Sequence, residues 1–346
     1  MNYKPHGEPG SQRPLIAVAS LGGTIAMTEN SEGAGVRPKL GAEDLLGGLG
    51  GHLDIDVRAA TLATVPGASL GFGLLGECYD WAAGQVADGA DGVVVVQGTD
   101  TLEETAYFFE TVWPHKEPVV VTGAMRHPSM PGADGPANLV AALTVAAAPA
   151  SRARGCTLVL GDEVHLARWV RKANSHRPDA FSSAPAGPVG AVAEGAVHYF
   201  HPAGIRLPAI EWSAAAPGHA SPGAVPLLEA TLDDSGQLLD AVVAAGAPGV
   251  VIAATGVGHV SEATAAAIER ALPHLPVVVA SRTGSGTTFR RTYGFRGSES
   301  DLVAMGATMA GWLCPRKARI LLHSLLAAGA ERDRIEQEFR IRGNLG

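Results

Sequence analysis

Three cysteines in 346 residues, Cys78, Cys156 and Cys314, are far apart and form no C-x-x-C spacing. This excludes a disulfide framework and a zinc module of the usual spacing, and makes a reducing compartment the expectation. No run of about 18 apolar residues occurs, and the opening MNYKPHGEPGSQRP is polar and has no apolar h-region. The chain is therefore expected to be cytoplasmic, without a membrane partner, and frayed over its first dozen residues. Charge is sparse: 17% of residues are charged, the formal net charge is -8, and basic clusters such as RARGC and RKANSHR are short. Nucleic acid and anionic lipid are poor partners for such a surface, and a small molecule fits better. Neither G-x-x-x-x-G-K-[ST] nor G-x-G-x-x-G is present, so a nucleotide-binding reading has no phosphate cradle to rest on. His115, His127, His165, His176 and His323 are scattered, with no pair at metal-ligand spacing, so no metal site is expected.

What is present is apolar: 46% hydrophobic residues, with Gly 44 and Pro 23 marking many turns. A chain of this length exceeds one ordinary core, so two domains are expected. Strand-like runs (LIAVAS, LDIDVRAATL, VVVV, PVVVTGAM) alternate with segments of helical spacing (GAEDLLGGLG, Leu74 to Ala87, LEETAYFFETVW), and PANLVAALTVAA and CTLVLGDEVHLARWV follow. That alternation predicts an α/β fold with a mainly parallel sheet. The pattern lapses in a stretch rich in Pro, Gly and Ala and resumes with LLEATL, GVVIAATG and PVVVAS. The boundaries read as a larger N-terminal domain over 14–202, a linker over 203–226 and a smaller C-terminal α/β domain over 227–346.

Two loops at strand ends carry polar residues that core packing does not need. In VVVVQGTDTLEET a buried strand runs into Thr99, Asp100 and Thr101 before a helix, and in open parallel sheets ligands bind outside the carboxyl ends of the strands. One of these residues is expected to cap the helix, with Glu103 and Glu104 at its positive end, which leaves at least one hydroxyl or carboxylate free. In SLGGTIAMT, Gly22 and Gly23 permit a tight turn and close backbone approach before Thr24.

SLGGTIA and QGTDTLEET resemble the two signature segments of the bacterial-type L-asparaginases (asparaginase/glutaminase family). VTGAMR, ADGPANL, VRKANSHRPDAFSS, ATGVGH and CPRKARILL match in family order, and the resemblance spans about Ile16 to Leu322. It implies two flavodoxin-like α/β domains and hydrolysis of asparagine to aspartate and ammonia by an amidohydrolase acting on linear carboxamides. It implies no metal or cofactor, and self-association to a dimer or tetramer with sites near the subunit interface. Carried over by position, Thr24 is the nucleophile that forms an acyl-enzyme, and Thr99, Asp100 and Lys172 form a second polar group. Substrate contacts fall on Gly23, Ser69, Gly98, Thr99, Asp100 and Ala124. A lysine acts as a base only when neutral, whereas a neighbouring carboxylate favours its charged form, so base and electrostatic orienter both stay open for Lys172.

The sequence departs from the family pattern in several places. The lid MTENSEGAGVRPKL has no tyrosine, which leaves the activating partner of Thr24 unassigned among Thr28, Glu29, Ser31 and Arg37. In VPGASLGF either Ser69 binds the substrate carboxylate or Gly67 takes its place and backbone N–H groups do so. Gln97 stands where many members have histidine, and His259 and Glu299 are candidates for C-terminal residues given to a partner's site. Asparagine and glutamine differ by one methylene, worth only about 1 to 3 kcal/mol in a pocket, so a dual asparaginase/glutaminase or another ω-amide hydrolase is an alternative. A non-catalytic amino-acid-binding protein is the alternative of another class. A tRNA-dependent amidotransferase subunit would carry an additional N-terminal domain, and only about 14 residues precede the first strand here.

Overall fold

LIAVASLG, apolar along nearly its whole length, forms strand β1 (Leu15–Gly22) and is buried from Ile16 onward, as expected of a strand covered on both faces. The computed structural model describes residues 13–23, 25, 27–29, 36–38, 41–47, 53–212 and 223–344. The chain divides into two units, Met1–Pro208 and Ala209–Gly346. Of the expected linker, residues 213–222 lie outside the described residues, and 203–212 and 223–226 carry no helix or strand.

In the first unit, β1 leads to an antiparallel pair, β2 (Met27–Glu29) with β3 (Val36–Pro38), then to helix α1 (Ala42–Gly47) and strand β4 (Asp56–Val65). There follow α2 (Phe72–Ala87), β5 (Gly92–Val96), α3 (Leu102–Val112), β6 (Val119–Thr122), α4 (Gly135–Ala147) and β7 (Cys156–Leu160). Parallel pairing gives the order β4-β1-β5-β6-β7. Counted by themselves, these strands run 2-1-3-4-5, the flavodoxin order, whose ligand crevice opens between the first and third strands, here β1 and β5.

The core explains the order. Val94 and Val96 of β5 and Val120 of β6 pack with Leu139 and Leu143 of α4 in one buried cluster. Strand alternation sends Val93 and Val95 to the opposite face, and both are also fully buried. Beyond β7 come β8 (Glu163–Leu166), β9 (Arg171–Lys172), β10 (Phe181–Ser182), β11 (Gly190–Ala193) and β12 (Ala196–Tyr199). β8, β11 and β12 extend the large sheet antiparallel, while β9 and β10 form a separate two-stranded ribbon.

The second unit is a smaller parallel sheet: β13 (Leu227–Glu229), α5 (Gln237–Ala244), β14 (Val250–Ala254), α6 (Glu262–Ala271) and β15 (Val277–Ser281), then α7 (Glu299–Met305), β16 (Thr308–Met309), α8 (Pro315–Ala327) and α9 (Arg332–Arg342). Its strands lie in chain order, all parallel. Ser261 and Ser298 cap α6 and α7 by accepting from the Thr264 and Asp301 N–H groups. No helix among the described residues is long and apolar enough to cross a membrane.

Candidate active site

Past β5 the chain runs through Gln97 and Gly98 into a single 3-10 turn, Thr99–Thr101, which continues into α3. The helix cap expected of a GTDT residue is not made: Gly98 and Thr101, the N-cap residues of the turn and of α3, make no side-chain capping bond among the described residues. Thr101 Oγ1 instead donates to the Gly67 carbonyl at 2.8 Å, tying the turn to the loop after β4.

Thr99 and Asp100 are left facing Lys172, 73 residues away from Thr99 in the chain. Lys172 Nζ donates to Thr99 Oγ1 at 2.9 Å and to Asp100 Oδ1 at 2.7 Å. The environment is graded: the Thr99 residue is 5% exposed, whereas the Lys172 and Asp100 side chains are 15% and 66% exposed. One end of this network is therefore sheltered from water, and its carboxylate end is open to a ligand. By accepting from an ammonium, the Thr99 hydroxyl keeps its own proton available and polarised.

Glycine lets the loops meet. A Cβ on Gly23, whose φ is +87°, would lie 2.0 Å from the Gly98 nitrogen, and one on Gly98 would lie 2.8 Å from the Gly67 nitrogen. The ends of β1, β4 and β5 thus touch backbone to backbone at the switch point, which no side chain would allow. From the other side Gly123 closes on Thr99, since a Cβ there would be 3.2 Å from the Thr99 methyl.

The remaining expected positions are distributed unevenly. Gly23, Gly67 and Gly98 are buried in this junction, and Ser69 is exposed on the one-turn loop Gly67–Ser69. Ala124 is fully buried in the core beside Ile25 and α4. Thr24 lies outside the described residues, as does the lid apart from the backbone of β2 and β3. In the second unit His259 and Glu299 are partners of each other, with His259 Nε2 3.0 Å from Glu299 Oε2. Burial works against the Glu299 carboxylate, but the N–H groups of Tyr293 and Thr292, and then His259, outweigh it and hold the carboxyl below its usual range.

Sequence reasoning passed over several residues that shape this region. Glu103, expected only to suit the positive end of α3, accepts the Lys172 backbone N–H at 2.6 Å while 2% exposed. Asn138 of α4 donates to the Gly123 carbonyl at 3.0 Å and to Asp134, whose carboxylate takes the Met125 and Arg126 N–H groups. These bonds brace the VTGAMR loop behind Thr99. ADGPANL carried that signal, with both polar residues one turn apart at the start of a helix. Gln97, already noted in the sequence as standing where many members have histidine, is fully buried, donates to the Gly98 carbonyl at 3.3 Å, and finds no hydrogen bond for its amide oxygen among the described residues.

Known proteins share this order of two domains along the chain. Residues 15–204 match the family described as "Asparaginase, N-terminal", and residues 224–339 match "Glutaminase/Asparaginase C-terminal domain". The L-asparaginase 2 of Bacillus subtilis is 33% identical over 333 residues, which cover 94% of this chain and 86% of that protein. A probable L-asparaginase of Deinococcus radiodurans is 35% identical over 341 residues, covering 94% of this chain and 97% of that one. Among solved structures, a probable cytoplasmic L-asparaginase from Campylobacter jejuni superposes with a TM-score of 0.84 at 29% identity, over 94% of this chain and 99% of the other.

Proposed function

The chain belongs to the asparaginase family, and from that membership we propose that it hydrolyses L-asparagine to aspartate and ammonia through an acyl ester on Thr24. The observation that carries this reading is the Lys172 ammonium bridging Thr99 Oγ1 and Asp100 Oδ1 at the end of β5. Thr24 directly follows Gly23 in the chain, the residue packed on Gly98 beside that bridge.

In the first half-reaction the Thr24 hydroxyl oxygen attacks the side-chain amide carbon and gives up its proton. The tetrahedral intermediate collapses, the C–N bond breaks, and the nitrogen leaves as ammonia after gaining a proton. In the second half-reaction water adds to the ester, the C–O bond to Thr24 breaks, and aspartate departs with the threonine hydroxyl restored. In this reading Thr99, in contact with Lys172, orients that water.

Lys172 Nζ reaches Thr99 Oγ1 and Asp100 Oδ1 together, a position that suits electrostatic orientation of the threonine hydroxyl and equally proton transfer by the amine. Only Asp100 Oδ1 is engaged by Lys172, and the exposed remainder of the carboxylate suits a substrate ammonium group. In the Gly67–Ser69 turn the Ser69 N–H already donates to the Pro66 carbonyl at 2.9 Å, so the N–H groups of Gly67 and Ala68 are the backbone candidates for the substrate carboxylate.

Acid quenching during turnover, followed by peptide mass analysis, tests the intermediate. The expected product is one aspartyl adduct on the peptide that contains Thr24. An adduct on another peptide, or full turnover by Thr24→Ala, would remove Thr24 from this role.

A further inference from the structure

Three acceptors on one turn reach a single residue. Thr99 Oγ1 and Asp100 Oδ1 take the ammonium of Lys172 at 2.9 and 2.7 Å, and Glu103 Oε2 takes its backbone N–H at 2.6 Å. Glu103 follows Thr99 by four residues and Asp100 by three, the spacing that brings side chains onto one face at the start of a helix. The same turn therefore holds Lys172 at its root and at its tip.

The root needs holding. β9 is two residues long and, among the described residues, pairs only with β10, with Lys172 opposite Phe181. The next N–H, of Ala173, turns inward to the Ala180 carbonyl at 2.7 Å, so that of Lys172 points out from the open edge of the ribbon. An N–H there has no ladder acceptor. Glu103 supplies one, and because it is 2% exposed the bond is shielded from water. The far end of the ribbon is fastened separately: His165 on β8 meets Ser183, just past β10, with Nδ1 2.9 Å from Oγ. A lysine side chain has several rotatable bonds, and its tip is placed only as well as its backbone is.

We propose that Glu103 is a positioning residue for Lys172: by gripping the backbone of β9 it sets the ammonium between Thr99 and Asp100. This inference rests on the reading of Lys172 as a working residue of the site. Its consequence is that loss of the Glu103 acceptor acts through Lys172 and not independently of it.

The test is steady-state ammonia release from L-asparagine by the full chain, comparing Glu103→Ala, Glu103→Gln, Lys172→Met and the double variant Lys172→Met/Glu103→Ala. Glu103→Ala is expected to lower kcat about 10- to 100-fold, as for a displaced catalytic group, with KM changed far less. Glu103→Gln keeps an oxygen for the N–H and is expected to retain most of kcat. In the double variant Glu103→Ala should add no loss beyond that of Lys172→Met, because the group it positions is gone. Multiplied losses, or a normal kcat for Glu103→Ala, would overturn the proposal while leaving Lys172 in the site. A normal rate for Lys172→Met alone would instead sink the reading of Lys172, and the proposal with it. Should Glu103→Ala fail to fold, Glu103→Asp replaces it in both backgrounds. Its carboxylate is one methylene short of the Lys172 N–H, and the same expectations apply.

Discussion

Gly23 and Gly98 pack backbone against backbone, so closely that a Cβ on Gly23 would stand 2.0 Å from the Gly98 nitrogen. The contact joins the end of β1 to the end of β5, and so joins the GGT segment to the GTDT turn. Gly23→Ala combines this clash with a φ of +87°, and is expected to lower stability by at least about 2 kcal/mol. Gly89 has a φ of +91° and nothing within 4 Å of the place a methyl group would take, so Gly89→Ala carries the backbone strain alone. Urea denaturation of the two variants should rank Gly23→Ala clearly below Gly89→Ala. Equal losses would mean that the junction yields to a side chain.

Removing the bridge atoms should affect rate more than binding. Lys172→Met keeps much of the side-chain volume and deletes the donor to Thr99 and Asp100, and kcat should fall by about 100-fold or more, as expected for a lost charge beside a reacting centre. Thr99→Ala should lower kcat similarly. Measured together, the two losses should be far from additive, since each removes one partner of the same 2.9 Å contact.

The loop after β4 separates two ways of holding the substrate carboxylate. Gly67 is buried against Gly98, whereas Ser69 is exposed. If the Ser69 hydroxyl binds the carboxylate, Ser69→Ala should raise KM with kcat nearly unchanged. If backbone groups bind it, Ser69→Ala should leave KM in place.

Acid should weaken the fold through two buried imidazoles. Burial pushes His165 down to about 4, and burial together with Arg319 does the same to His323. In the unfolded chain both take up protons as pH falls through about 6.5, while the folded chain resists until about pH 4. Stability is therefore lost across that window and the contribution levels off below it. His165→Gln should reduce the fall in Tm between pH 6.5 and 4 relative to the unmodified chain. An identical pH slope in the variant would show that His165 does not titrate in this way.

Much of the sheet is legible in the sequence because a strand buried on both faces must be apolar throughout, as VVVV and LIAVAS are. CTLVLGDEVHLARWV is less transparent, since it holds two antiparallel strands, β7 and β8. The two-residue turn between them, Gly161 and Asp162, has both φ values positive, at 61° and 62°, which is the demand of a tight hairpin turn. Thr99 and Asp100 could be picked out locally by their place at a strand end. Lys172 could not: it sits on a two-residue strand too short for any periodicity, and it meets Thr99 across 73 residues. Only the family resemblance pointed to it. Glu103 escaped because a glutamate in the first turn of a helix already has an ordinary explanation in the helix dipole, and its bond to a distant N–H is a tertiary fact.

Ammonia release from the purified chain, assayed in parallel with L-asparagine and L-glutamine and with Thr24→Ala as the comparison, tests the central claim most directly. Release from L-asparagine is expected of the unmodified chain and none of a folded Thr24→Ala variant, with the ratio to L-glutamine fixing the substrate preference. No release from L-asparagine by the folded, unmodified chain would contradict the claim.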